Sequence, residues 1–407
     1  MKPILYFFFI ILLSICGSRS QKPIIYPTIP CENLILYDLT QIPNAPSRIK
    51  SSRIQIDPFS GKYACFVQGY ISGQISFTLA LPSETFTGRY AQLGVGSFAG
   101  YNIPILICGL NSPYFMNGTV AYSQNDAGHV SLFPQDGLWA NNQLSLRTDY
   151  AYQSEVLMKA VAMRIINIYY AVNTTYDYFI SCSNGGRQGN LLMQRFPELF
   201  DGYSTSGSVL YPSALGLRNA WTYVINQENG SRILTTDKIP ALSAAVMAAC
   251  DGLDGLIDNE ITDPDACFFD PVEIQCPSGV DNLSCLTPEQ VKVVRQLYVG
   301  ARDPISNTLL YPGGCTRGSE SLWSIHITTQ RPIVQAELGL TGIAASGLNY
   351  LRYLGTIIPN PHLNIDDIDF STQTLEELGT MNLLYHGSSL NIDKFIQGNK
   401  KGLTAIL

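Results

Sequence analysis

The sequence predicts an α/β protein with a mostly parallel sheet, crossover helices and an inserted, disulfide-stapled segment. Strand-like and helix-like stretches alternate from about residue 60 to residue 205, as is typical of βαβ units. Beyond about residue 210 the strand periodicity fades, cysteines cluster, and prolines and acidic residues become more frequent. A turn of small residues at 181–186 joins a strand-like segment to a helix-like one, a place where a sheet can present a reactive side chain.

The first twenty residues have the pattern of a secretory signal peptide. Lys2 precedes an apolar run over residues 4–13, and small residues follow up to Ser20, so we expect cleavage after Ser18 or Ser20. The apolar run is too short for a comfortable membrane span. We therefore expect a soluble, secreted mature protein without a membrane partner.

The elements of the predicted sheet follow in chain order. Residues Ile71 to Leu81 and Tyr90 to Leu93 are strand-like, and Ser154 to Tyr170 has the pattern of a helix. The aromatic segment Tyr176 to Ile180 is β-prone, and Arg187 to Phe196 has helical spacing of its apolar residues, with a proline close behind. Apolar strand-like sequence then returns only at Met381 to Tyr385.

The composition favours a large secreted globular protein and excludes some partners. Among 407 residues, 46% are hydrophobic and 14% are charged, which is enough apolar material for a large core plus an inserted subdomain. The net charge of −7 argues against nucleic-acid and anionic-membrane partners. The 23 tyrosines fit either an aromatic surface for sugars or phenolics, or simply a Tyr-rich fold. Four Asn-x-Ser/Thr sequences fit glycosylation outside the cytoplasm: Asn117, Asn173, Asn229 and Asn282.

The turn at residues 181–186 predicts a nucleophile at Ser183. Its sequence, Ser-Cys-Ser-Asn-Gly-Gly, matches Gly-x-Ser-x-Gly except that Ser181 replaces the first glycine. A strand, a tight turn and a helix in that order lift a serine Oγ to the edge of a sheet, beside backbone N–H groups that can hold an oxyanion. A plain Gly/Ser turn is the alternative interpretation, and the flanking strand and helix favour the nucleophile.

An acidic, glycine-containing loop follows Cys250, with carboxylates at steps of three and four residues. Such a loop can bend oxygen atoms around a hard cation such as calcium, although the spacing is not that of an EF-hand and a solvated acidic turn is the alternative. The lack of histidine in the loop argues against zinc. Cys250 and Cys267 flank the loop and can close it with a disulfide, and Cys276 and Cys285 resemble a second local staple. Nine cysteines remain once Cys16 is removed with the signal peptide, so one thiol is expected to stay unpaired.

Several segments in order resemble the tannase/feruloyl esterase family of secreted serine esterases, over roughly residues 55 to 387. They are Gln92–Gly100, Asn125–His129, Tyr178–Gly189, Arg195–Gly202, the acidic loop, and Leu384-Tyr385-His386-Gly387. The resemblance implies an α/β-hydrolase catalytic domain over residues 21–209 and 346–407, with a calcium-binding lid over 210–345. It also implies that the substrates are esters of aromatic acids, either ferulate-like or gallate-like, bound between the lid and the catalytic domain.

The resemblance assigns roles to individual residues. Ser183 is the nucleophile, the N–H of Asn184 is an oxyanion donor, and Gly96 and Ser97 lie in the loop that supplies a second donor. The family prefers threonine at the position of Asn184, which leaves the role of that side chain open. The implied calcium ligands are the side chains of Asp251, Asp254 and Asp258 and the carbonyl groups of Leu256 and Glu260.

The catalytic acid and base are not found by the same comparison. The family places its acid three residues beyond Tyr-His-Gly, where this chain has Leu390; Asp393 fits only with a longer loop. None of the four histidines, His129, His326, His362 and His386, matches the position of the family's base. We therefore expect the C-terminal part of the catalytic domain, including the last strand or strands of the sheet, to be missing.

Two hypotheses follow from these observations. The first is a secreted carboxylic ester hydrolase for feruloyl- or galloyl-type esters, represented by an incomplete sequence. The second is a catalytically inactive secreted protein that binds phenolic or plant-wall ligands. In the family a disulfide ties the cysteine before the nucleophile to the histidine loop, so Cys182 is the candidate for the unpaired thiol.

Overall fold

A mixed sheet forms the centre of the computed structural model, which describes residues 23–101, 113–328, 342–398 and 400–405. Within these residues eight strands pair in the order β1-β2-β3-β5-β4-β6-β7-β10. The strands are β1 (Ser47–Ile56), β2 (Tyr63–Ile71), β3 (Ile75–Pro82), β4 (Arg89–Leu93), β5 (Val120–Asn125), β6 (Tyr176–Cys182), β7 (Gly202–Ser206) and β10 (Lys401–Ala405). The predicted signal peptide (1–20) and Cys108 lie outside the described residues.

The sheet has an antiparallel part and a parallel part. Strands β1, β2, β3 and β5 pair antiparallel, whereas β5, β4, β6, β7 and β10 pair parallel. Two further short strands, β8 (Gln227–Glu228) and β9 (Ser231–Arg232), form a separate hairpin. The predicted parallel sheet with crossover helices is thus confirmed for the half that carries residue 183.

Twelve α-helices lie in the described residues, several of them extended by 3₁₀ or π turns. They are α1 (Pro113–Met116), α2 (Leu144–Thr148), α3 (Ser154–Tyr170), α4 (Ser183–Arg195), α5 (Pro212–Val224), α6 (Ile239–Cys250), α7 (Pro288–Val299), α8 (Trp323–His326), α9 (Gly342–Asn349), α10 (Thr372–Leu378), α11 (Asn382–Tyr385) and α12 (Asp393–Gln397). Helix α3 has the predicted bounds. Helix α4 begins four residues before the predicted Arg187, because the turn itself adopts the first helical residues.

The core of the molecule lies between the sheet and helix α3. Met158, Val161 and Ile165 of that helix are fully buried in one cluster with Phe77 and Phe179 of the sheet. Their spacing of three and four residues places them on one face of the helix. This packing fixes the strand that ends at Cys182 and therefore the position of the turn that follows.

One expectation for the C-terminal part is wrong, and the tail adds a strand to the sheet. Met381 to Tyr385, predicted as a strand, forms a 3₁₀ turn and helix α11, because Met381 and Tyr385 are four residues apart and bury the same face in one cluster. The tail forms helix α12 and strand β10, which pairs in parallel with β7 from Lys401 to Ala405. Phe395 of α12 packs its ring edge-on against Tyr203 of β7, and this contact holds the tail to the sheet.

The segment after β7 contains its own apolar cluster and two local disulfides. The bonds Cys250–Cys267 and Cys276–Cys285 form as the spacing suggests, and Cys31–Cys65 ties the N-terminal segment to β2. Cys182 is disulfide-bonded, so the prediction that it carries the unpaired thiol is wrong. Among the described cysteines the free one is Cys315, which is buried in the apolar cluster of this segment, where no other described cysteine sulfur is within bonding range. No helix in the described part of the chain is long and apolar enough to cross a membrane.

Helices α5 and α9 cross unusually closely, and Gly347 permits the approach. A Cβ atom at Gly347 would lie 2.6 Å from the backbone nitrogen of Ala220 and 2.9 Å from the carbonyl oxygen of Gly216. Backbone atoms on both sides leave no side chain that can yield. The crossing therefore holds the two helices at a fixed separation.

We expect Gly347→Ala to lower the free energy of unfolding by about 1–3 kcal/mol, because the added methyl group forces the two backbones apart. Gly379→Ala is the matched control, since its nearest neighbour is the amide of Asn382 at 3.4 Å and its backbone is helical. Thermal and urea denaturation of both variants provide the measurement. Equal midpoints for the two variants would contradict a tight crossing.

Candidate active site

Ser183 lies at the junction of β6 and α4 in a strained backbone conformation. The strand ends at Cys182, the helix begins at Ser183, and the φ angle of Ser183 is +56°. A non-glycine residue in the left-handed region is kept there only when the surrounding structure enforces it, and such residues cluster at functional sites. Ser183 is exposed while Asn184 and the residues after it are buried. The predicted strand, turn and helix thus have the geometry that presents a serine hydroxyl at a sheet edge.

Close contact between neighbouring turns supports this conformation. A Cβ atom at Gly185 would overlap the side chain of Ser181 and approach the carbonyl carbon of Gly94 to 2.9 Å. Ser181 replaces the glycine usual at that position, and its buried hydroxyl fills the space beside Gly185. Gly185 is therefore required by packing, since any side chain would push α4 away from the ends of β4 and β6.

The loop at residues 94–100, which follows β4, is hydrogen-bonded to two side chains of α4. The amide of Gln188 accepts a hydrogen bond from the backbone N–H of Val95 (3.1 Å), and the amide of Asn184 donates to the carbonyl oxygen of Val95 (3.2 Å). Gln188 also donates to the carbonyl of Tyr150 at 3.1 Å. Both backbone groups of one loop residue are therefore bonded to the helix that begins with Ser183.

The outer side of the same loop is held by aromatic and imidazole groups. The hydroxyl of Tyr150 donates to the carbonyl of Ser97 (3.2 Å), and Nε2 of His129 lies 2.8 Å from the carbonyl of Phe98. Ser97 and Ala99 both have positive φ angles, +49° and +60°. The strained loop is thus bonded from both sides and is preorganised near Ser183.

Arg187 is a fully buried cation one helical turn after Ser183. Its Nε donates to the side-chain oxygen of Asn184 at 2.8 Å, and its terminal nitrogens donate to three backbone carbonyls, those of Tyr150, Ala151 and Tyr385. The guanidinium lies 4.9 and 5.7 Å from the ring centroids of Tyr150 and Tyr385. No carboxylate forms an ion pair with it among the described residues. Hydrogen bonds and ring faces therefore offset the cost of burying this charge.

These elements enclose a cavity of about 150 Å³ beside the nucleophile turn. The wall formed by the turn and the loop consists of Ser97, Phe98, Tyr150, Ser183, Asn184 and Arg187. The opposite wall comes from α5 with the segment before it, and from α9 with the turn after it. Its residues are Val209, Pro212, Leu215, Gly216, Asn219, Ser346 and Tyr350. The structure thus brings three predicted site residues, Ser97, Ser183 and Asn184, to one cavity. Gly96 is not part of its lining.

None of the four histidines is hydrogen-bonded to Ser183 among the described residues. His129 is buried, stacks on Trp139 with centroids 3.6 Å apart, and has both ring nitrogens next to carbonyl oxygens; burial lowers its pKa to about 4. His386 bonds the hydroxyl of Ser213 at 3.0 Å, and burial together with the charge of Arg187 lowers its pKa to about 4. His326 and His362 are exposed. The hydrogen bonds of the described residues include none between Ser183 and a histidine.

The two candidate positions for the catalytic acid, Leu390 and Asp393, do not line the cavity. Leu390 is 95% exposed and Asp393 is an exposed residue at the start of α12. His386 lines a different, larger groove of about 660 Å³ together with Arg195 and Lys394. The segment around Tyr-His-Gly therefore borders the back of α4 rather than the cavity.

The acidic loop after α6 is closed by the Cys250–Cys267 disulfide and is held by its own hydrogen bonds. The carboxylate of Asp251 accepts from the backbone N–H groups of Asp258 and Asn259 at 3.1–3.2 Å, and that of Asp254 accepts from the N–H of Leu256 and the hydroxyl of Thr262. The donor set consists of oxygen atoms only, which suits calcium. Among the described residues, however, no three acidic, histidine or cysteine side chains gather as a metal-binding group.

Gln188, Tyr150 and Arg187 were not recognised as site residues from the sequence. Arg187 and Gln188 lie within the segment that resembles the esterase family, but no role was assigned to them. Their partners are backbone groups 36 to 198 residues away, which no local pattern reveals. The structure shows that Arg187 and Gln188 are buried on the N-terminal half of α4, as polar side chains are when they are hydrogen-bonded.

Comparisons with known proteins show which proteins the sequence resembles. The sequence model of the family described as Tannase and feruloyl esterase matches residues 64–375. A probable feruloyl esterase B-1 of Aspergillus terreus is 30% identical over 342 residues, covering 78% of this chain and 60% of that protein. An uncharacterized esterase of Xanthomonas campestris is 29% identical over 244 residues, covering 59% of this chain and 40% of that protein. The chain thus spans about half the length of these relatives.

Solved structures share the fold. An esterase from Aspergillus oryzae superposes with a TM-score of 0.75 and 22% identity, covering 92% of this chain and 74% of that chain. Feruloyl esterase B from the same organism gives a TM-score of 0.74 at 21% identity, covering 92% and 73%. A tannin acyl hydrolase from Aspergillus niger gives 0.61 at 17% identity, covering 89% and 69%.

We expect Gln188→Leu to lower the turnover number for an ester about 10²-fold with little change in KM. The loop would lose its hold on α4, and oxyanion donors act on the transition state rather than on substrate binding. Gln194→Leu, on the same helix but bonded to the carbonyl of Gly387, is the control and should keep its turnover number. A fall in activity matched by loss of folded protein in circular dichroism would contradict a positioning role.

Proposed function

Because the chain belongs to the Tannase and feruloyl esterase family, we propose that it is a secreted carboxylic ester hydrolase with Ser183 as its nucleophile. One observation carries this proposal: Ser183 is exposed with a positive φ angle at the carboxyl end of β6, in one cavity with Ser97 and Asn184. The esterase names of its relatives support the same reaction class.

The reaction would proceed by acyl transfer. The Oγ of Ser183 forms a bond to the ester carbonyl carbon as its proton passes to a base, and the resulting oxyanion is stabilised by backbone N–H groups. Asn184 supplies one donor, and the loop at Gly96 and Ser97 supplies the second. The bond to the alcohol then breaks with return of the proton, and water cleaves the acyl-enzyme in the same way.

Arg187 and the loop contacts would serve this chemistry by position and charge. Arg187 orients the side chain of Asn184, whose amide in turn holds Val95. The guanidinium also provides a fixed positive charge one turn from Ser183, in surroundings from which water is excluded. Such a charge favours the anionic intermediate over the neutral ester.

Strand β10 ends at the edge of the sheet that carries Ser183. Ala405 pairs with Ser206 of β7, and Ser206 pairs with Cys182 of β6, so these three residues lie at one level of the sheet. Carboxyl ends of parallel strands meet at the same edge, which is the edge that carries Ser183.

A non-catalytic ligand-binding protein is the second candidate function, favoured by the absence of a histidine bonded to Ser183 among the described residues.

The substrate class that we propose is an ester of an aromatic acid. Three aromatic side chains line the cavity, those of Phe98, Tyr150 and Tyr350. The relatives carry the names feruloyl esterase and tannin acyl hydrolase, and these names support phenolic esters for this chain as well. The three disulfides among the described cysteines fit an oxidising, extracellular location.

A structural calcium ion in a lid over residues 210–345 is a further proposal. Asp251, Asp254 and Asp258, with the carbonyls of Leu256 and Glu260, would supply oxygen ligands on a loop closed by a disulfide. The ion would neutralise carboxylates on an exposed segment and thereby stabilise it. This role is separate from the reaction at Ser183.

We expect Ser183→Ala to abolish hydrolysis of methyl ferulate and of methyl gallate, because the variant lacks the hydroxyl that forms the acyl-enzyme. Ser213→Ala is the matched control, since it removes the hydroxyl bonded to His386 and should leave activity within a few-fold. Release of methanol and labelling by a fluorophosphonate probe are the measurements. Labelling of Ser213 instead, or equal activity of both variants, would contradict the assignment.

We expect calcium in excess over EDTA to raise the thermal midpoint, because an ion that binds only the folded state stabilises it. Asp251→Asn should remove the shift, whereas Asp265→Asn, an exposed acidic residue outside the proposed ligand set, should keep it. Magnesium should not replace calcium, because it prefers to keep its water ligands. Identical midpoints in calcium and in EDTA would rule the ion out.

A further inference from the structure

The hairpin of β1 and β2 exposes a group of cations on one of its faces, which we call the outer face. Arg48, Lys50 and Arg53 of β1 are exposed, as are Gln68 and Tyr70 of β2. None of the three cations forms an ion pair among the described residues. Their charges are therefore available to a partner from outside the protein.

A β-bulge brings the two arginines to the same face. They are five residues apart, and in a regular strand an odd separation directs two side chains to opposite faces. The pairing register of β1 shifts between residues 49 and 51, so that Arg48 lies opposite Tyr70 and Arg53 lies opposite Phe66. Tyr70 and Phe66 are four residues apart on a regular strand and share one face. The bulge thus redirects a side chain, as bulges commonly do near functional sites.

The remaining side chains of the outer face are polar or aromatic. The ammonium of Lys50, at the bulge, lies 5.8 Å from the ring centroid of Tyr70. The amide oxygen of Gln68 accepts a hydrogen bond from the hydroxyl of Ser51 at 3.3 Å, which leaves its exposed N–H groups available. Cations, an amide and a phenol ring are therefore presented side by side on a flat surface.

The opposite face of the hairpin is closed by the N-terminal segment. The disulfide Cys31–Cys65 joins this segment to β2, and the hydroxyl of Ser52 donates to the carbonyl of Glu32 at 3.4 Å. Strand β1 is the outermost strand of the described sheet, and its bulge and its lysine discourage another chain from pairing with that edge. A ligand therefore meets the outer face of a rigid hairpin.

The charge of this face is opposite to that of the whole chain, which carries −7. Within residues 47–71 the one acidic side chain is Asp57, which is 4% exposed and accepts hydrogen bonds from Ser60 and Tyr122. The exposed cations are thus not neutralised within the hairpin. A positive surface on an acidic protein indicates a negatively charged partner, because complementary charges steer and orient association.

The exposed groups favour a carboxylated sugar chain among negatively charged partners. A lipid-binding surface inserts apolar side chains, whereas the exposed residues of this face are charged, amide and phenolic. Single-stranded nucleic acids need several aromatic rings on which bases stack, and Tyr70 is the one exposed ring of this face. Guanidinium groups bind carboxylates through paired hydrogen bonds, and a tyrosine ring can pack on the C–H face of a sugar.

We propose that the outer face of the β1–β2 hairpin binds an acidic polysaccharide, with Arg48, Lys50 and Arg53 on the uronate carboxylates and Tyr70 on a sugar ring. None of these residues lines the cavity at Ser183. The surface would hold the protein on a polymer while the cavity stays open to an ester. This binding goes beyond the proposed esterase function and does not require it.

The test measures binding of polygalacturonate and of its fully methyl-esterified form, which has the same sugar backbone without the charges. Calorimetry uses the Ser183→Ala chain, so that no methyl ester of the polymer can be cleaved by Ser183. Polygalacturonate should bind at least tenfold more tightly than the esterified polymer, and added sodium chloride should weaken its binding because salt screens exposed charges. Equal binding of the two polymers, or binding of neither, would overturn the proposal.

The decisive variant replaces Arg48, Lys50 and Arg53 together by glutamine. Its affinity for polygalacturonate should fall about tenfold, because three exposed ion pairs are lost. The matched control replaces three other exposed cations by glutamine, with the same change in charge and the same residue types: Arg164, Lys292 and Arg302. The control should keep its affinity. Equal affinity of the two triple variants would show that net charge alone decides binding and would refute the surface.

The role of the ring is tested by Tyr70→Leu, which should lower the affinity for polygalacturonate severalfold. Tyr63→Leu is its control, because Tyr63 is exposed on the same strand but lies seven residues away and on the opposite face. Equal affinities of these two variants would indicate simple ion exchange and contradict a sugar site. Vesicles containing phosphatidylserine provide a second probe. Binding to these vesicles in place of polygalacturonate, lost in the triple variant, would assign the face to a membrane and refute the proposal.

Hydrolysis of methyl ferulate separates this proposal from the esterase function. The triple variant at Arg48, Lys50 and Arg53 should keep the wild-type kcat/KM, because these residues lie outside the cavity lining. Polymer binding without hydrolysis by the wild type would remove the esterase function and keep the polysaccharide surface. Hydrolysis without polymer binding would keep the esterase function and overturn the surface.

Discussion

The two hydrogen bonds between Val95 and the side chains of α4 are the interaction on which the candidate site depends. Gln188 and Asn184 hold the N–H and the carbonyl of one loop residue, so the loop after β4 cannot move without the helix that begins with Ser183. An oxyanion hole built from two different strand ends needs such a connection, because a displacement of one ångström costs much of its effect. The strained φ angles at Ser97, Ala99 and Ser183 are maintained by the same contacts.

Arg187 connects the hydrogen bonds at Val95 to the rest of the molecule. It bonds the side chain of Asn184 and the carbonyls of Tyr150 and Tyr385, and it also lies near the rings of both tyrosines. A buried cation without an ion pair is expensive, so a chain would keep it only for specific geometry or for its charge. In the proposed reaction this charge would favour the anionic intermediate at Ser183. Burial, and after it the charge of Arg187, lowers the pKa of His386.

The sequence predicts the elements whose information is local. The helix at Ser154–Tyr170, the strand before Cys182 and the turn at Ser183 follow from apolar spacing and small residues within short windows. The run Met381–Tyr385 could not be assigned in this way, since five apolar-rich residues fit a strand or a helical turn, and packing of Met381 and Tyr385 on one face decided it. Strand β10 pairs with β7 nearly two hundred residues earlier, and the hydrogen bond between Val95 and Gln188 joins residues that are 93 apart in the sequence. The count of cysteines predicts an odd thiol, but not that it is Cys315 rather than Cys182.

The cavity divides two tasks between two parts of the chain. The turn at Ser183 and the loop at Ser97 come from β6 and β4, and they present groups that act on a carbonyl whatever acid it belongs to. The opposite wall, which includes Asn219, Ser346 and Tyr350, comes from helices outside the sheet. Because α5 and α9 are fixed to each other by the close approach at Gly347, we expect a substitution in this wall to leave Val95 and Ser183 undisturbed. Changes of substrate within such a fold are therefore expected in the helix pair, and changes of rate in the loop and in α4.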